Sequence, residues 1–275
     1  MPLSVNTNIA SLSAQRSLSN SQNTLETAFE RLSTGKRINS AVDDAAGLAI
    51  STTLGSRVSG INQAIRNTND GISVVQIAEG ALDEVTTILQ RMRDIAVQGA
   101  NDSLGTNERS YLETETEKLQ AAITSAVGAA KFGTTSLLDG TFASGKSFQI
   151  GAEDGDVLSV SIGTVSLATL SVEDADVEVD TAANASTAIS NIDTALDAIA
   201  SDRAGLGAIQ SQLESTVRNL ANVAENTAAA QSRILDTDYA AETANLTKAQ
   251  ILQQASTAIL AQANAQPQAV LSLLQ

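Results

Sequence analysis

The fold of this chain is decided by residues 189–234, which read ISNIDTALDAIASDRAGLGAIQSQLESTVRNLANVAENTAAAQSRI. Positions alternately three and four residues apart are mostly apolar, and they run from Ile189 to Ile234 over about six heptads. Sustained heptads of this kind are typical of helices packed as a coiled coil. Three of the seam positions are Arg203, Gln210 and Gln231, which are either imperfect core positions or polar residues that set the register of the pair.

A second stretch, residues 61–96, repeats the same spacing and carries a further apolar strip from Ala78 to Ile95. A shorter helix is predicted through Leu112, Glu115, Leu119, Ala122 and Ala126, after a polar loop at 101–107. The only prolines are Pro2 and Pro267, so nothing between them interrupts a helix. Two long helices with a short one between them predict an antiparallel helical rod, packed as a coiled-coil-like bundle.

Both ends of the chain also have a helical pattern, but they are rich in Ser, Asn, Gln and Ala. Alone, such segments bury too little apolar surface to offset the entropy lost on ordering. We therefore expect the two terminal helices to pair into an inner-tube domain in which many copies share contacts. The residues predicted to form these assembly helices are Ile9, Leu12, Leu18, Leu25, Leu32, Leu252, Ala255 and Ile259.

The middle of the chain, residues 132–179, differs in composition and pattern, because it contains repeated glycines and short alternations of apolar and polar residues. Leu158, Val160 and Ile162 alternate clearly, and residues 165–172 do so less clearly, which predicts strands and a small β-hairpin region. Residues 147–202 contain 11 acidic and no basic side chains, which favours a solvated outward face. The predicted fold class is therefore mainly α, with this β-hairpin region as its exception.

Three regions follow from these patterns. Residues 1–42 with 236–275 form the predicted terminal coiled-coil domain, and residues 43–140 with 180–235 form the predicted helical rod. Residues 141–179 form the predicted acidic β-hairpin region.

Composition excludes several classes of function. The 275 residues carry a net charge of −15 and contain no Cys and no His, which excludes thiol catalysis, disulfides and cysteine-based metal sites. The acidic balance argues against a nucleic-acid partner. Residues 1–15 lack the basic start of a cleaved signal peptide, so none is expected. Residues 249–275 are uncharged, but repeated amides argue against membrane insertion.

Three short motifs each allow a structural and a functional interpretation. Residues 205–210 weakly resemble a dinucleotide loop but lie within a heptad run, where close helix packing is the simpler explanation. Asp154 and Asp156 could suggest calcium, although an acidic turn fits better because the EF-hand pattern is missing. Asp43 and Asp44 could serve a hydrolase, but capping of a helix start explains them. We expect no catalytic, cofactor-binding or metal residues.

Several blocks of sequence resemble bacterial flagellin. They are LSTGKRINS (residues 32–40), DDAAGLAI (43–50), NTNDGISVVQIAEGA (67–81) and RILDTDYAAE (233–242). The resemblance covers residues 1–140 and 185–275. Many flagellins carry one or two outer globular domains in the middle, whereas this chain retains about 45 residues there. A short form with a comparatively smooth filament surface is therefore expected.

The resemblance implies a non-catalytic structural subunit that polymerises, alone or together with other flagellins, into the extracellular flagellar filament for swimming motility. It also implies type III export, a chaperone on the C-terminal helix, and contacts with the filament cap and hook-associated proteins. Residues 89–98, LQRMRDIAVQ, resemble the flagellin segment that host innate immune receptors recognise. By that resemblance Arg91, Ile95 and Glu115 are the receptor-recognition residues.

Three alternatives remain open from the sequence alone. A hook–filament junction protein shares the terminal pattern, although the block at residues 67–81 favours flagellin. A secreted non-flagellar effector or hydrolase would need a concave site with catalytic carboxylates. A helical protein lying on a lipid surface would need basic polar faces, and this chain is acidic.

Overall fold

The structure is a computed structural model that describes residues 7–272, and the side chains of residues 7–265. Its helices are α1 (Ile9–Thr34), α2 (Ala45–Gly99), α3 (Thr106–Ala129), α4 (Leu167–Leu170), α5 (Ala182–Leu235) and α6 (Tyr239–Ser272). Its strands are β1 (Lys131–Phe132), β2 (Thr135–Ser136), β3 (Lys146–Gln149) and β4 (Val157–Val160). The predicted mainly α fold class is confirmed. Residues 1–6 and 273–275 of the predicted terminal domain lie outside the described residues.

The chain divides into two compact units. One comprises Met1–Val58 with Asn226–Gln275, and the other comprises Ser59–Glu225. Both divisions fall inside the long helices α2 and α5, 16 and 10 residues from the boundaries predicted at 42/43 and 235/236. The acidic region 141–179 belongs to the second unit, so its separate status stays a prediction.

The core of the second unit contains the apolar seams of α2 and α5, together with buried side chains of α3 and of residues 130–179. Leu82 and Leu89 of α2 are fully buried, as are Leu206 and Leu213 of α5, and the seam positions between them are half-buried. This alternation is what a heptad seam produces when one of its two positions faces the partner helix most directly. The predicted seams of both helices are therefore confirmed.

The predicted third helix is confirmed as α3, and its predicted apolar residues Leu112, Leu119, Ala122 and Ala126 are half-buried against the core, although the most buried positions lie one residue further along. The fully buried side chains are Thr116, Gln120 and Ile123, whereas the predicted Glu115 and Leu119 are half-buried beside them. Gln120 can occupy this position because its Nε2 donates a hydrogen bond to the carbonyl of Val172 at 3.0 Å. Apolar periodicity does not detect a buried polar side chain whose hydrogen bonding is supplied by another element.

The middle region contains two antiparallel strand pairs, β1 with β2 and β3 with β4. In the second pair Lys146 lies opposite Val160, and the hairpin is held to α2 by Asn67, whose Nδ2 donates to the carbonyl of Gln149 at 3.1 Å. The predicted hairpin is thus confirmed at Leu158 and Val160.

The second alternation, over residues 165–172, does not form a strand. Ser166 caps the short helix α4 instead, accepting a hydrogen bond from the N–H of Thr169 at 3.1 Å while its own N–H donates to the Thr169 hydroxyl at 2.8 Å. A reciprocal capping pair of this kind stabilises a helical turn locally and outweighs a weak alternation.

Candidate assembly and recognition surfaces

Within the first unit, α1 and α6 pack antiparallel along a seam of small side chains. The buried residues of α1 include Ala14, Ser21 and Ala28, which lie seven residues apart. The buried residues of α6 include Ala249, Ser256 and Ala263, again seven apart. Small side chains at a helix contact permit a short interaxial distance. The terminal helices therefore pair, as the sequence predicted, but through their smallest residues.

The larger apolar residues of these helices lie beside or outside the seam. Leu18, Leu25 and Leu32 are half-buried. In α6 Ser256 and Ala263 are buried within the single chain while Ala255 and Gln262 are exposed, so the assignment of Ala255 to contacts between copies stays a prediction. The prediction placed the bulkiest residues at the helix contact. Within one chain, the contact between α1 and α6 buries small residues, and the bulky ones lie at its edge or in solvent.

An exposed apolar stripe results from this arrangement. We call it the terminal stripe, and each of its side chains is between 46% and 70% exposed. Four of the members were predicted as assembly residues, and Ile251 was missed because it lies one position outside the predicted register. The terminal stripe consists of Ile9, Leu12, Ile251, Leu252 and Ile259.

The loops that connect these helices to α2 and α5 are fastened to each other. The Arg37 guanidinium donates to the carbonyl of Ile234 at 2.6 Å, and Lys36 forms an isolated antiparallel bridge with Asp236. Gly35 has a φ of 71°, and a side chain there would approach the hydroxyl of Tyr239 to 2.8 Å. The glycine of the LSTGKRINS block is thus needed both for its backbone conformation and for this close approach.

Asp43 and Asp44 serve the turn and the start of α2. The carboxylate of Asp43 accepts hydrogen bonds from the N–H groups of Ser40 at 2.9 Å and Asn39 at 3.1 Å, and these bonds lower its pKa. Asp44 accepts from the N–H of Gly47 at 2.8 Å, which satisfies an otherwise unpaired donor at the helix start. The capping interpretation is confirmed for Asp44, whereas Asp43 stabilises the turn before the helix.

The three predicted recognition residues do not share one surface. Arg91 of α2 and Glu115 of α3 meet on the exterior, with Nε and NH2 of the guanidinium 3.1 Å and 2.6 Å from Glu115 Oε1. Ile95, one turn further along α2, is only 1% exposed and lies in the core. The structure therefore brings Arg91 and Glu115 together as an exposed ion pair and places Ile95 behind them.

Polar residues in the α5 seam reach across to α2 at two of the three predicted positions. Arg203 NH1 lies 3.0 Å from Asp83 Oδ1, and Gln231 Nε2 donates to the carbonyl of Ser51 at 3.1 Å. Gln210 instead donates to Glu214 on its own helix. The register-setting interpretation is thus favoured for Arg203 and Gln231, and it is not supported for Gln210.

A further cross-helix pair was missed from the sequence. Arg93 Nε lies 2.6 Å from Asp193 Oδ1, and this hydrogen bond lowers the pKa of Asp193 and raises that of Arg93. Arg93 occupies a seam position of α2. A basic residue there could have pointed to an ion pair with an acidic residue of the partner helix α5.

An acidic segment before α5 is fastened to α3. Glu113 Oε2 accepts a hydrogen bond from the N–H of Val179 at 2.7 Å. Burial raises the pKa of Glu113, the nearby carboxylates Glu178, Asp180 and Glu117 raise it further, and the bond from Val179 opposes them. Negative charge at Glu113 is therefore disfavoured relative to an isolated glutamate.

The motifs that could suggest a bound ion or nucleotide form an ordinary turn and part of a helix. Asp154 and Asp156 flank Gly155 in the turn between β3 and β4, where Gly155 has a φ of 88°. Among the described residues there is no group of three or more acidic side chains placed to hold a metal ion. Gly205 and Gly207 lie inside α5, and a side-chain carbon added at either position would meet no atom of another described element within 4 Å, so close packing against a neighbouring helix of the chain does not explain them. No helix in the described ranges is long and apolar enough to cross a membrane.

Together these features define a helical protein that pairs its N-terminal and C-terminal helices and leaves their apolar stripe exposed. Residues 5–143 match the family model of the bacterial flagellin N-terminal helical region, and residues 189–274 match that of the bacterial flagellin C-terminal helical region. The chain belongs to the bacterial flagellin family, and the predicted resemblance is confirmed.

Individual relatives agree with this assignment but differ in length. The flagellin of Halalkalibacterium halodurans is 44% identical over 271 residues, covering 98% of this chain and 99% of the relative. The B-type flagellin of Pseudomonas aeruginosa is 49% identical over 62% of this chain, but the match spans only 35% of that relative. This chain thus spans the full length of the first relative and about a third of the second.

Two solved structures share the fold. The crystal structure of Bacillus cereus flagellin matches with a TM-score of 0.51 and 29% identity, covering 60% of this chain and 94% of that chain. A structure described as a flagellar hook-associated protein from Vibrio parahaemolyticus has a TM-score of 0.60, covers 70% of this chain and 100% of that chain, and is 18% identical. At that identity the second match shows the fold alone.

Proposed function

We propose that this chain is a non-catalytic structural subunit that polymerises through α1 and α6 into an extracellular flagellar filament used for swimming. The observation that carries the proposal is the terminal stripe. An apolar side chain of this size gains about 1.5–3 kcal/mol when it moves from water to a buried position. In a single chain α1 and α6 bury mainly small residues, so the larger gain is available only through contact with other copies.

Membership of the bacterial flagellin family favours a filament over a closed ring. A head-to-tail contact between two different surfaces continues indefinitely when its rotation does not close. The acidic residues between 147 and 202 support an outward position for the middle region, because most of them are exposed. A short middle region then leaves the filament surface comparatively smooth.

Other partners are part of the same proposal. Before assembly, a cytoplasmic export chaperone would cover the groove beside Ile251 and Leu252 on α6, which Ala244, Thr247 and Lys248 also line. Family membership also supports proposing type III export, contacts with a filament cap and hook-associated proteins, and co-assembly with other flagellins. The chaperone would bind the terminal helices because their exposed apolar surface must be covered before assembly. The other proteins would bind the same helices in the filament.

Recognition by a host innate immune receptor is a second proposal, supported by the exposed Arg91–Glu115 pair. A planar guanidinium on a helix surface can form bidentate contacts with a receptor carboxylate. Ile95 would act from the core by holding α2 in place, because its side chain is buried.

The hook–filament junction alternative is less well supported. The similarity to a hook-associated structure is 18% identical and shows the fold alone. Identity of 44% along a whole flagellin favours the filament subunit.

The proposal is tested by deleting residues 250–275 and adding the truncated protein to filament seeds. We expect no elongation by electron microscopy or sedimentation, while circular dichroism shows a cooperative transition close to that of the intact monomer. The transition is retained because the deletion leaves the core of the unit Ser59–Glu225 untouched. Elongation of the truncated protein on seeds would show that another surface carries assembly.

A further inference from the structure

The chain contains Asp-Gly dipeptides at residues 70–71, 139–140 and 154–155. This dipeptide can rearrange without an enzyme, because glycine has no side chain to hinder attack of its backbone nitrogen on the preceding carboxyl group. The attack requires an amide N–H and a carboxyl group that are both free of hydrogen bonds, and a backbone that can rotate between them. The structure provides these conditions to a different extent at each dipeptide.

The first dipeptide is held inside a helix. Asp70 lies in the middle of the 55-residue helix α2, where the N–H of the next residue is directed at the carbonyl four positions earlier. Gly71 is buried, and a side-chain carbon added there would lie 3.5 Å from Phe148 Cδ1. Attack by this nitrogen would require a packed turn of α2 to open.

The second dipeptide lies in a loop, but its carboxylate is held. Asp139 Oδ1 accepts a hydrogen bond from the N–H of Thr141 at 2.9 Å. Hydrogen bonds from the side chain and backbone of Thr141 lower the pKa of Asp139. A side-chain carbon added at Gly140 would lie 3.0 Å from Thr164 Oγ1, so the backbone is also confined. Since the carboxyl group reacts in its protonated form, this environment disfavours the attack.

The third dipeptide meets none of these obstacles. Asp154 and Gly155 are exposed in the turn between β3 and β4. Within the described part of the chain, neither the Asp154 carboxylate nor the Gly155 N–H has a hydrogen-bond partner. The turn is closed by the N–H of Asp156, which donates to the Glu153 carbonyl at 3.3 Å. Gly155 occupies the third turn position with a φ of 88°, and a side-chain carbon there would meet no atom within 4 Å.

We propose that Asp154 is a site of spontaneous isomerisation to isoaspartate. The Gly155 nitrogen bonds to Cγ of Asp154 while a Cγ–O bond breaks, and the amide proton leaves with the carboxyl hydroxyl as water. The resulting succinimide ring then takes up one water. Opening at Cγ restores aspartate, whereas opening at the main-chain carbonyl carbon of Asp154 leaves the main chain running through Cγ. One water is lost and one is regained, so the step needs no other reactant.

The product would lengthen the main chain by one carbon within the turn. Glu153 is the residue most affected, because its carbonyl accepts from both the Asp156 N–H at 3.3 Å and Gln149 Nε2 at 2.6 Å. Among the described residues, the hydrophobic core includes none of residues 151–156, so the change is confined to the hairpin. The inference is independent of filament assembly, since the turn is exposed in the single chain.

The experiment follows isoaspartate at the three dipeptides in purified monomer kept for weeks in warm neutral buffer. Peptide mass spectrometry with fragmentation that distinguishes the two isomers measures it. Resistance to a protease that cleaves before aspartate but not before isoaspartate provides a second readout. We expect residue 154 to react about tenfold faster than residue 139, because the Asp139 carboxylate must first lose a hydrogen bond. Residue 70 should react more slowly still.

Variants and denaturant separate the effect of structure from that of the dipeptide itself. Asp154→Glu should abolish the modification in this turn, because attack would have to close a larger ring, whereas Asp139→Glu should leave the rate at residue 154 unchanged. In denaturant, where the helix and the Thr141 bond are lost, the three rates should become similar. Equal rates at residues 154 and 139 in the folded monomer would overturn the proposal. Modification of residue 154 in denaturant but not in the folded monomer would also overturn it.

Discussion

Arg93 of α2 lies 2.6 Å from Asp193 of α5, and the same relationship recurs ten residues away along both helices, where Asp83 meets Arg203 at 3.0 Å. From the first pair to the second, the residue number falls by ten along α2 and rises by ten along α5. The two helices are therefore antiparallel and keep the same register at both pairs. All four side chains are at least partly exposed, where ion pairs contribute little net stability. Their role is therefore better described as alignment of a seam whose stability comes from buried apolar residues.

The buried seam predicts a large effect of a single truncation. Leu213→Ala should lower the free energy of unfolding by about 2–4 kcal/mol, because Leu213 is fully buried and the change leaves a cavity. Gln212→Ala, at the exposed neighbouring position, should change it by less than about 0.5 kcal/mol. Thermal and denaturant unfolding of the monomer measure both. Equal effects of the two changes would place the seam elsewhere.

Glu113 predicts a dependence of stability on pH. Its pKa is raised in the folded chain, so its contribution to stability is present below its unfolded pKa and is lost as pH rises through its folded pKa. Glu113→Gln should therefore raise stability at neutral pH relative to acidic pH and flatten the profile as pH rises above the ordinary pKa of a glutamate. Glu84→Gln, an exposed change on α2, serves as the control. An unchanged profile in the Glu113 variant, measured by denaturant unfolding across this range, would contradict the assignment.

The glycines inside α5 predict a stabilising substitution. Gly205→Ala should raise monomer stability by about 0.5–1 kcal/mol, because alanine favours the helix and a side-chain carbon at this position meets no atom within 4 Å. Gly99→Ala provides the contrast, since its added carbon would lie 3.1 Å from Val179 Cβ. Melting temperatures of the two variants should move differently, with a gain for Gly205→Ala alone. A loss of stability at Gly205 would mean that the position is more crowded than the structure shows.

The terminal stripe predicts a separation between folding and assembly. Ile259→Ser should leave the melting curve of the monomer nearly unchanged, because the side chain is mostly exposed there. It should raise the critical concentration for polymerisation by about tenfold or more, since burial of an isoleucine contributes about 1.5–3 kcal/mol. Ala258→Ser, at the adjacent exposed position, is the matched control. Sedimentation after seeding measures the effect, and equal behaviour of the two variants would argue against the stripe.

The Arg91–Glu115 pair predicts a recognition effect without a folding effect. Arg91→Ala and Glu115→Ala should each weaken an innate receptor response to monomer while leaving helicity intact, because both side chains are exposed and their ion pair adds little stability. Arg66→Ala, an exposed arginine of the same helix, should leave the response unchanged. The readouts are receptor signalling in reporter cells and circular dichroism. Full signalling from a folded double variant would remove this surface from consideration.

Much of the helical framework was predictable from local pattern. The spacing of residues 61–96 and 189–234 identified both long helices and the buried positions Leu82 and Leu213. The family was predictable from ordered sequence blocks. These features are repeated over many residues, so an error at one position does not change the result.

The terminal seam was not predictable in its details. Apolar periodicity assigned Leu252 and Ile259 to the contact, while the chain buries Ser256 and Ala263. The choice depends on how closely two backbones approach, and that distance is a property of the pair. In the same way Gln120 is buried because Val172, more than fifty residues away, supplies its acceptor.

The recognition residues show the same division. Sequence resemblance grouped Arg91, Ile95 and Glu115, but packing separates Ile95 from the other two. By itself, the sequence determined that the chain is mainly helical, where its long helices run and to which family it belongs, because heptad spacing acts over short distances along the chain. Only the tertiary structure decided which faces are buried, which ion pairs align the helices and which apolar residues stay exposed, because those depend on atoms that distant segments bring together.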